Sequence, residues 1–99
     1  MAVKPLEFHQ AAAAELESAF DWYLARDERV AAGFLDEANR AIELISQAPH
    51  RWPLSQGDVR KFVLRRFPFL FLYRELPSMI QVIAVAHGHR RPGYWKRRL

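Results

Sequence analysis

Cysteine is absent from this 99-residue chain, and acidic residues are scarce in its second half. Without thiols the chain forms neither disulfides nor thiolate metal sites, which is compatible with a reducing compartment. No apolar run approaches the roughly 20 residues of a membrane span, and the N-terminal residues lack the apolar stretch of a secretory signal. We therefore expect a soluble cytoplasmic protein without membrane contact.

Charge is divided unevenly along the chain. Residues 1–50 carry four Lys or Arg against nine Asp or Glu, whereas residues 51–99 carry eleven against two. The halves therefore stand at −5 and +9, although the whole chain carries only +4. This division predicts one acidic and one basic side, and the basic side would attract a nucleic acid or an acidic protein partner.

The length limits the number of domains. Ninety-nine residues with 51% hydrophobic composition suffice for one core but not for two. The polar stretch at residues 50–58 has the composition of a loop, and it connects parts of one domain because neither side could bury a core alone. We expect a single domain over residues 1–99.

The first half predicts one strand and two helices. Residues 2–8 predict a short strand, in which Leu6 and Phe8 share one face of an extended chain and Glu7 lies on the other. Pro5 limits this strand to an edge or an irregular start. From residue 10 to about residue 26 apolar side chains recur at helical spacing, which predicts a helix with Trp22 partly in the core.

A second helix follows after a brief polar break, with Asp27 as its N-cap and Pro49 at its end. Two helices joined by so few residues fold back on each other as an antiparallel hairpin. The apolar stripe of such a hairpin needs a further surface to cover it. The many acidic residues of the helices are interpreted as a solvated face.

Three segments rich in aliphatic and aromatic residues, 59–66, 68–75 and 79–87, predict strands. The last is apolar on both faces and should lie centrally in the sheet. Alternation there would align four residues on one face: Ile80, Val82, Ala84 and Ala86. The predicted fold class is α+β, with an N-terminal strand and an antiparallel helical hairpin packed on a small, mostly antiparallel sheet.

The last twelve residues, 88–99, combine cations, an imidazole and aromatic rings without an acidic residue. Guanidinium groups bind phosphate bidentately, and the rings of Tyr94 and Trp95 can stack on bases or anchor a protein interface. Because Trp95 lies amid charges, we expect it to be exposed and expect removal of residues 94–99 to cost little core burial. The alternative is a solvated basic end that only aids solubility.

Further cations lie on the predicted strands. Two pairs bracket residues 62–64 and would project from both ends of one strand as a phosphate-binding row, although a charged edge strand is the alternative interpretation. The candidate target-binding residues are Arg60, Lys61, Arg65, Arg66, Arg74, His87, His89, Arg90, Arg91, Tyr94 and Trp95.

His87 and His89 flank Gly88 and would lie on the same side of an extended chain. They could share a metal, or act as general base and acid around a phosphate. Because no third ligand stands at a recognisable spacing, the usual zinc patterns are not matched. We expect no metal site and no cofactor.

Several motifs, spread in order over almost the whole chain, together resemble one family. The most specific are Arg65-Arg-Phe-Pro-Phe and the C-terminal His87-Gly-His-Arg-Arg-Pro-Gly-Tyr-Trp; Pro49-His-Arg-Trp-Pro and Trp22-Tyr23 accompany them. They resemble the RelE/ParE superfamily of bacterial toxins, often called plasmid stabilisation proteins. The resemblance implies a toxin of a type II toxin–antitoxin pair, with a small compact fold and a tightly bound cognate antitoxin in a hetero-oligomer.

The superfamily contains two activities. RelE-like members cleave mRNA in the ribosome, whereas ParE-like members block DNA gyrase without being hydrolases. In a ribonuclease, Arg65, His87, Arg91 and Tyr94 would move protons and stabilise the phosphorane. Because no carboxylate is clearly placed as a base, the pattern favours the ParE-like branch. A ribosome-dependent mRNA endoribonuclease and a non-toxic partner-binding module remain alternatives, so whether the chain is an enzyme stays open.

Overall fold

Residues 4–99 are described by a computed structural model. In chain order its elements are β1 (Leu6–Phe8), α1 (Gln10–Leu24), α2 (Glu28–Gln47), β2 (Leu54–Gln56), β3 (Val59–Val63), β4 (Phe69–Glu75), β5 (Ile80–His87) and a 3₁₀ helix (Lys96–Arg98). The N-terminal strand is confirmed at Leu6–Phe8, and residues 2–3 of that expectation lie outside the described residues. None of the helices in residues 4–99 combines the length and apolarity needed to cross a membrane.

Side chains cap both helices at their N-termini. His9 Nδ1 accepts the amide N–H of Ala11 at 3.0 Å, and Asp27 Oδ1 accepts that of Arg29 at 2.8 Å. Each cap satisfies an amide that has no partner inside its helix. The N-cap predicted at Asp27 is therefore confirmed, and the two helices form the expected hairpin.

The five strands of the described chain form one sheet in the order β1-β5-β4-β3-β2. β1 pairs with β5 in parallel, and all other neighbours are antiparallel. The α+β class and the mostly antiparallel sheet are confirmed. β4 is the middle strand, and β5 lies inside the sheet between β4 and β1. The loop expected at 50–58 contains β2, which at three residues is too short to show a strand pattern.

A β-bulge in β5 decides which of its side chains face the helices. The pairing with β4 shifts by one residue, and Ile83 is the extra residue on β5. Val85 therefore joins the core under the helices, whereas Ala84 and Ala86 join a cluster on the opposite face. The strict alternation expected from the sequence is wrong beyond Val82, since periodicity alone does not reveal an inserted residue.

Both faces of the sheet are covered. The helices bury Phe71 and Tyr73 on one face, and the tail buries Leu72 on the other. Trp95 lies in this second cluster with only 3% of its surface exposed, which corrects the expectation that it is an exposed interface residue. Because β5 is apolar on both faces, something had to cover the face without helices, and the indole of Trp95 does so.

Trp22 occupies the opposite environment to the one expected. Its side chain is 53% exposed, and the guanidinium of Arg26 lies 3.5 Å from its ring centroid. The neighbouring Tyr23 is the residue that packs into the core, against Phe34 and Phe67. The expectation that Trp22 is partly in the core is therefore wrong, because the next residue along the helix, Tyr23, occupies the core position.

Candidate functional site

An open groove of about 620 Å³ runs between α1 and the adjoining ends of β4 and β5. We call it the α1 groove, and its lining is mostly apolar. It is lined by Ala14, Glu15, Ser18, Ala19, Trp22, Tyr23, Pro68, Phe69, Val85, His87, Arg90 and Tyr94. The six α1 residues recur at three- and four-residue spacing, so they share one helix face.

The bulge in β5 brings His87 into this groove. Beyond Ile83 the side chains of Val85 and His87 point towards α1, since they are two residues apart on one strand. Phe69 pairs with His87 across the sheet, and their ring centroids are 5.3 Å apart at 83°. Without the extra residue, His87 would face the tail side of the sheet.

Past Val82, the edge of β5 that faces away from β4 has no strand beside it among the described residues, because β1 pairs only as far as that position. Side chains occupy the open edge instead. Glu15 Oε1 accepts the amide N–H of Val85 at 3.0 Å, and Arg98 Nη1 donates to the carbonyl of Ile83 at 3.0 Å. The same Arg98 nitrogen lies 2.8 Å from Glu15 Oε1. This ion pair, the Glu15–Arg98 lock, satisfies the backbone groups that a neighbouring strand would satisfy.

Tyr94 is held by the same carboxylate. Its hydroxyl donates to Glu15 Oε2 at 2.8 Å, and the guanidinium of Arg90 lies 4.0 Å from its ring centroid. Burial, followed by the hydrogen bond to Glu15, raises the pKa of Tyr94 to about 12. Tyr94 is therefore a neutral hydrogen-bond donor at physiological pH.

Glu15 is ionised at the centre of these contacts. Burial opposes its charge, but hydrogen bonds from Arg98, Tyr94 and the Val85 amide hold the pKa of Glu15 below its usual value. Four hydrogen bonds from these three residues occupy both of its oxygens. The carboxylate thus positions the tail and does not act as a free base.

The two C-terminal histidines lie together, as their spacing predicted. His87 Nδ1 accepts the amide N–H of His89 at 3.1 Å, and the two rings stack with centroids 5.2 Å apart. This bond leaves Nε2 of His87 as its free ring nitrogen. His87 is half-buried in the α1 groove, whereas His89 is exposed and does not line it.

The expected phosphate-binding row on β3 does not form. The strand ends at Val63, so Arg65 and Arg66 lie in the following turn. Arg60 donates through Nη1 to the carbonyl of Trp52 at 2.7 Å and points to the helix side. Lys61 follows it directly and therefore faces the other way.

Two more of the candidate guanidinium groups also have partners inside the protein. Arg66 bonds Glu37 through its amide at 3.2 Å and through Nε at 3.4 Å. Arg74 Nε donates to Gln81 Oε1 at 3.1 Å.

The candidate target-binding residues consequently lie in three places. His87, Arg90 and Tyr94 share the α1 groove; Lys61 and Arg65 border a second pocket against α2; Arg60, Arg66, Arg74, His89 and the exposed Arg91 line neither.

Two acidic residues that were assigned to a solvated face belong to the interior contacts instead. Glu37 is only 9% exposed, and Glu15 is half-buried. A signal for both was present in the sequence. Glu15 stands three residues after Ala12, and Glu37 stands three residues after Phe34, so each falls on the buried stripe of its helix.

Comparison with known proteins identifies the family. The family model described as ParE toxin of type II toxin-antitoxin system, parDE, matches residues 6–92. No curated protein matches the chain. The fold is similar to that of the chromosomal ParDE toxin–antitoxin system from P. aeruginosa, with a TM-score of 0.74 and 21% identity over 86% of this chain and 96% of that one.

A second similar structure is the toxin–antitoxin complex RelBE2 from Mycobacterium tuberculosis. Its TM-score is 0.56 at 20% identity, with 88% of this chain and 93% of that chain covered. At these identities the likeness concerns the fold. The family match extends from β1 through the turn after β5. The resemblance carried by the motifs is therefore confirmed, and the chain belongs to the ParE toxin family of type II toxin–antitoxin systems.

Proposed function

We propose that this chain arrests growth by inhibiting DNA gyrase without cleaving nucleic acid, and that an antitoxin neutralises it. One observation supports this choice above all: the four residues that a ribonuclease would use do not converge. His87 and Tyr94 line the α1 groove, whereas Arg65 borders the pocket against α2 and Arg91 lines neither. RNA cleavage requires its base, acid and charge-stabilising groups around a single phosphate.

The groups that do share the α1 groove are poorly suited to proton transfer. The pKa of Tyr94 is raised to about 12, and its hydroxyl donates a hydrogen bond to Glu15. Glu15 in turn accepts from three donors.

The surface of the groove suits a protein partner. Its walls are largely apolar, and an exposed Trp22 with Arg26 stacked on it stands at one side. Exposed Trp and Arg side chains are enriched in the energetically important parts of protein interfaces. An inhibitor of an enzyme complex needs such a surface and needs no catalytic base.

We assign the antitoxin to the α1 groove on the same grounds. The groove follows α1 over more than two turns, from Ala14 to Tyr23, and its apolar lining is suited to the nonpolar face of an amphipathic helix. Both similar solved structures are described as toxin–antitoxin assemblies.

Two assays run in parallel test the proposal. Purified chain is added to a gyrase supercoiling reaction and to ribosomes programmed with mRNA. We expect loss of supercoiling or gyrase-dependent DNA breaks, and intact mRNA. Codon-positioned mRNA cuts with unaffected supercoiling would refute gyrase inhibition and establish the ribonuclease alternative.

One observation favours that alternative: His87, Arg90 and Tyr94 do lie in one groove. If the chain is a ribonuclease, His87→Ala and Tyr94→Phe should abolish mRNA cuts, whereas Arg97→Ala, an exposed tail residue outside the groove, should retain them. If it is a gyrase inhibitor, none of the three variants produces or abolishes an RNA product.

A further inference from the structure

A second pocket, of about 360 Å³, lies between α2 and β3. We call it the α2 pocket. Arg40 and Leu44 contribute from α2, Lys61 and Phe62 from β3, Trp52 from the preceding loop and Arg65 from the following turn. It shares no lining residue with the α1 groove.

The rim of the α2 pocket is cationic and unpaired. Arg40 and Arg65 are both exposed, and within residues 4–99 neither of them makes an ion pair. The acidic residue of the lining, Glu37, accepts hydrogen bonds from the amide and Nε of Arg66. Its charge is therefore already engaged, and the rim presents an excess of positive charge to a ligand.

The floor of the α2 pocket is apolar. Leu44, Trp52 and Phe62 are half-buried, and the rings of Trp52 and Phe62 meet edge to face with centroids 4.6 Å apart. The indole N–H of Trp52 is buried and finds no acceptor among the described residues. Trp52 lines the pocket, so its indole N–H signal reports on what occupies the floor.

We propose that the α2 pocket binds an acidic polypeptide segment. One large apolar side chain of the segment lies on the floor, and flanking carboxylates meet the cationic rim. Peptide fits this lining better than nucleic acid does. The Trp52 and Phe62 rings meet edge to face at 73°, so they do not form a flat platform on which a base could stack. The proposal is independent of how the chain arrests growth.

Nuclear magnetic resonance of the ¹⁵N-labelled chain tests this directly. The probe is the N-acetylated hexapeptide Asp-Glu-Leu-Phe-Glu-Asp. We expect its addition to shift the indole N–H of Trp52 and the amides of Leu44 and Phe62. The double variant Arg40→Glu/Arg65→Glu should bind the peptide about tenfold more weakly, because two attractive charges become repulsive. The control Arg29→Glu changes an exposed cation of α2 outside both pockets and should bind as the wild type does.

Two further measurements on the wild type keep the test decisive even if the double variant fails to fold. The peptide Asp-Glu-Ala-Ala-Glu-Asp keeps every charge but lacks the large apolar side chains, and it should bind at least several-fold more weakly. An oligothymidylate of six nucleotides should leave the Trp52 indole signal unmoved. The proposal is overturned if the acidic peptide shifts residues of the α1 groove instead, if both peptides bind equally, or if the oligothymidylate shifts Trp52 more strongly than the peptide.

Discussion

Glu15 connects α1, β5 and the tail through one carboxylate. It accepts from the amide of Val85, the hydroxyl of Tyr94 and the guanidinium of Arg98, and its side chain is 19% exposed. Hydrogen bonds to charged groups contribute roughly 1.5–3 kcal/mol each when partly buried. Because the three contacts share one partner, their contributions are coupled and will not add.

Replacing Glu15 by Gln should lower the free energy of unfolding by about 2 kcal/mol at neutral pH, as measured in urea. The pKa of Glu15 is lowered in the folded chain, so its charge stabilises the fold above the ordinary value of 4.5. This contribution is lost as pH falls through the folded pKa. The difference between wild type and variant should therefore shrink in acid. Glu17→Gln, on an exposed position of α1, is the control; an equal loss there would contradict the assignment.

The Tyr94 hydroxyl should ionise only at high pH, and the carboxylate of Glu15 should contribute to its raised pKa. Its pKa is raised to about 12 first by burial and then by the carboxylate. In Glu15→Gln the negative neighbour is gone but burial remains, so the Tyr94 pKa should fall while staying above 10.0. Phenolate absorbance follows the titration, and Tyr94→Phe identifies which transition belongs to this residue. An unchanged transition in Glu15→Gln would show that burial alone sets the pKa.

At the scale of elements, the tail is part of the fold. Gly93 has a φ of 77°, which turns the chain so that Trp95 packs onto the sheet. Residues with a side chain rarely adopt this left-handed backbone conformation, so a substitution at Gly93 would strain the turn. The expectation that removing residues 94–99 costs little core burial is therefore wrong.

Ending the chain after Gly93 should destabilise it by at least 3–5 kcal/mol, the approximate cost of losing a buried tryptophan, and the loss of Arg98 adds to this. Since the free energy of unfolding of small domains is only about 5–15 kcal/mol, the truncated chain would lose most of its stability. Thermal melting and near-ultraviolet circular dichroism measure the effect. Removal of Leu99 alone, which is 52% exposed, is the control. A truncated chain that melts as the wild type does would restore the view of a dispensable tail.

Sequence predicted the elements better than it predicted their surroundings. Helical periodicity and the cap at Asp27 locate α1 and α2 because both signals are local. The bulge at Ile83 depends on pairing with β4, and nothing in β5 itself marks it. Trp95 was misassigned because its charged neighbours suggested exposure, whereas the uncovered face of β5 required an apolar cover.

For the candidate site too, the sequence predicted what depends on residue type and missed what depends on tertiary contacts. His87 and Tyr94 were predicted because their residue types suggest chemistry or recognition. Glu15 was missed, although it sits on a buried stripe, because its role depends on a backbone edge brought close by the fold. The convergence of groups in the α1 groove, and the failure of Arg65 and Arg91 to join them, are properties of tertiary structure alone.

At the scale of the whole molecule, the two halves of opposite charge do not form two separate bodies. Acidic helices lie on one face of the sheet, and the basic tail reaches round the open edge of β5 to pair Arg98 with Glu15. The α1 groove lies where these halves meet, and we expect the antitoxin there. Growth assays can test this assignment without a structure of the complex.

Expression of the chain alone should halt bacterial growth, and coexpression of the small open reading frame adjacent to its gene should restore it. Ala14→Arg places a long side chain in the α1 groove at an exposed position, so rescue should be lost while toxicity persists. Ala13→Arg, which is exposed on α1 but does not line the groove, should be rescued normally. Equal rescue of both variants would exclude the groove as the antitoxin site.

The Glu15–Arg98 lock joins residues 83 positions apart, nearly the full length of the chain. During synthesis Glu15 leaves the ribosomal exit tunnel long before Arg98 does, because Arg98 is added 83 residues later. β5 can pair with β1 before then, whereas its remaining edge and the face beneath Trp95 stay uncovered until residues 94–98 emerge. The nascent toxin therefore cannot complete this edge of its sheet until Arg98 has left the tunnel.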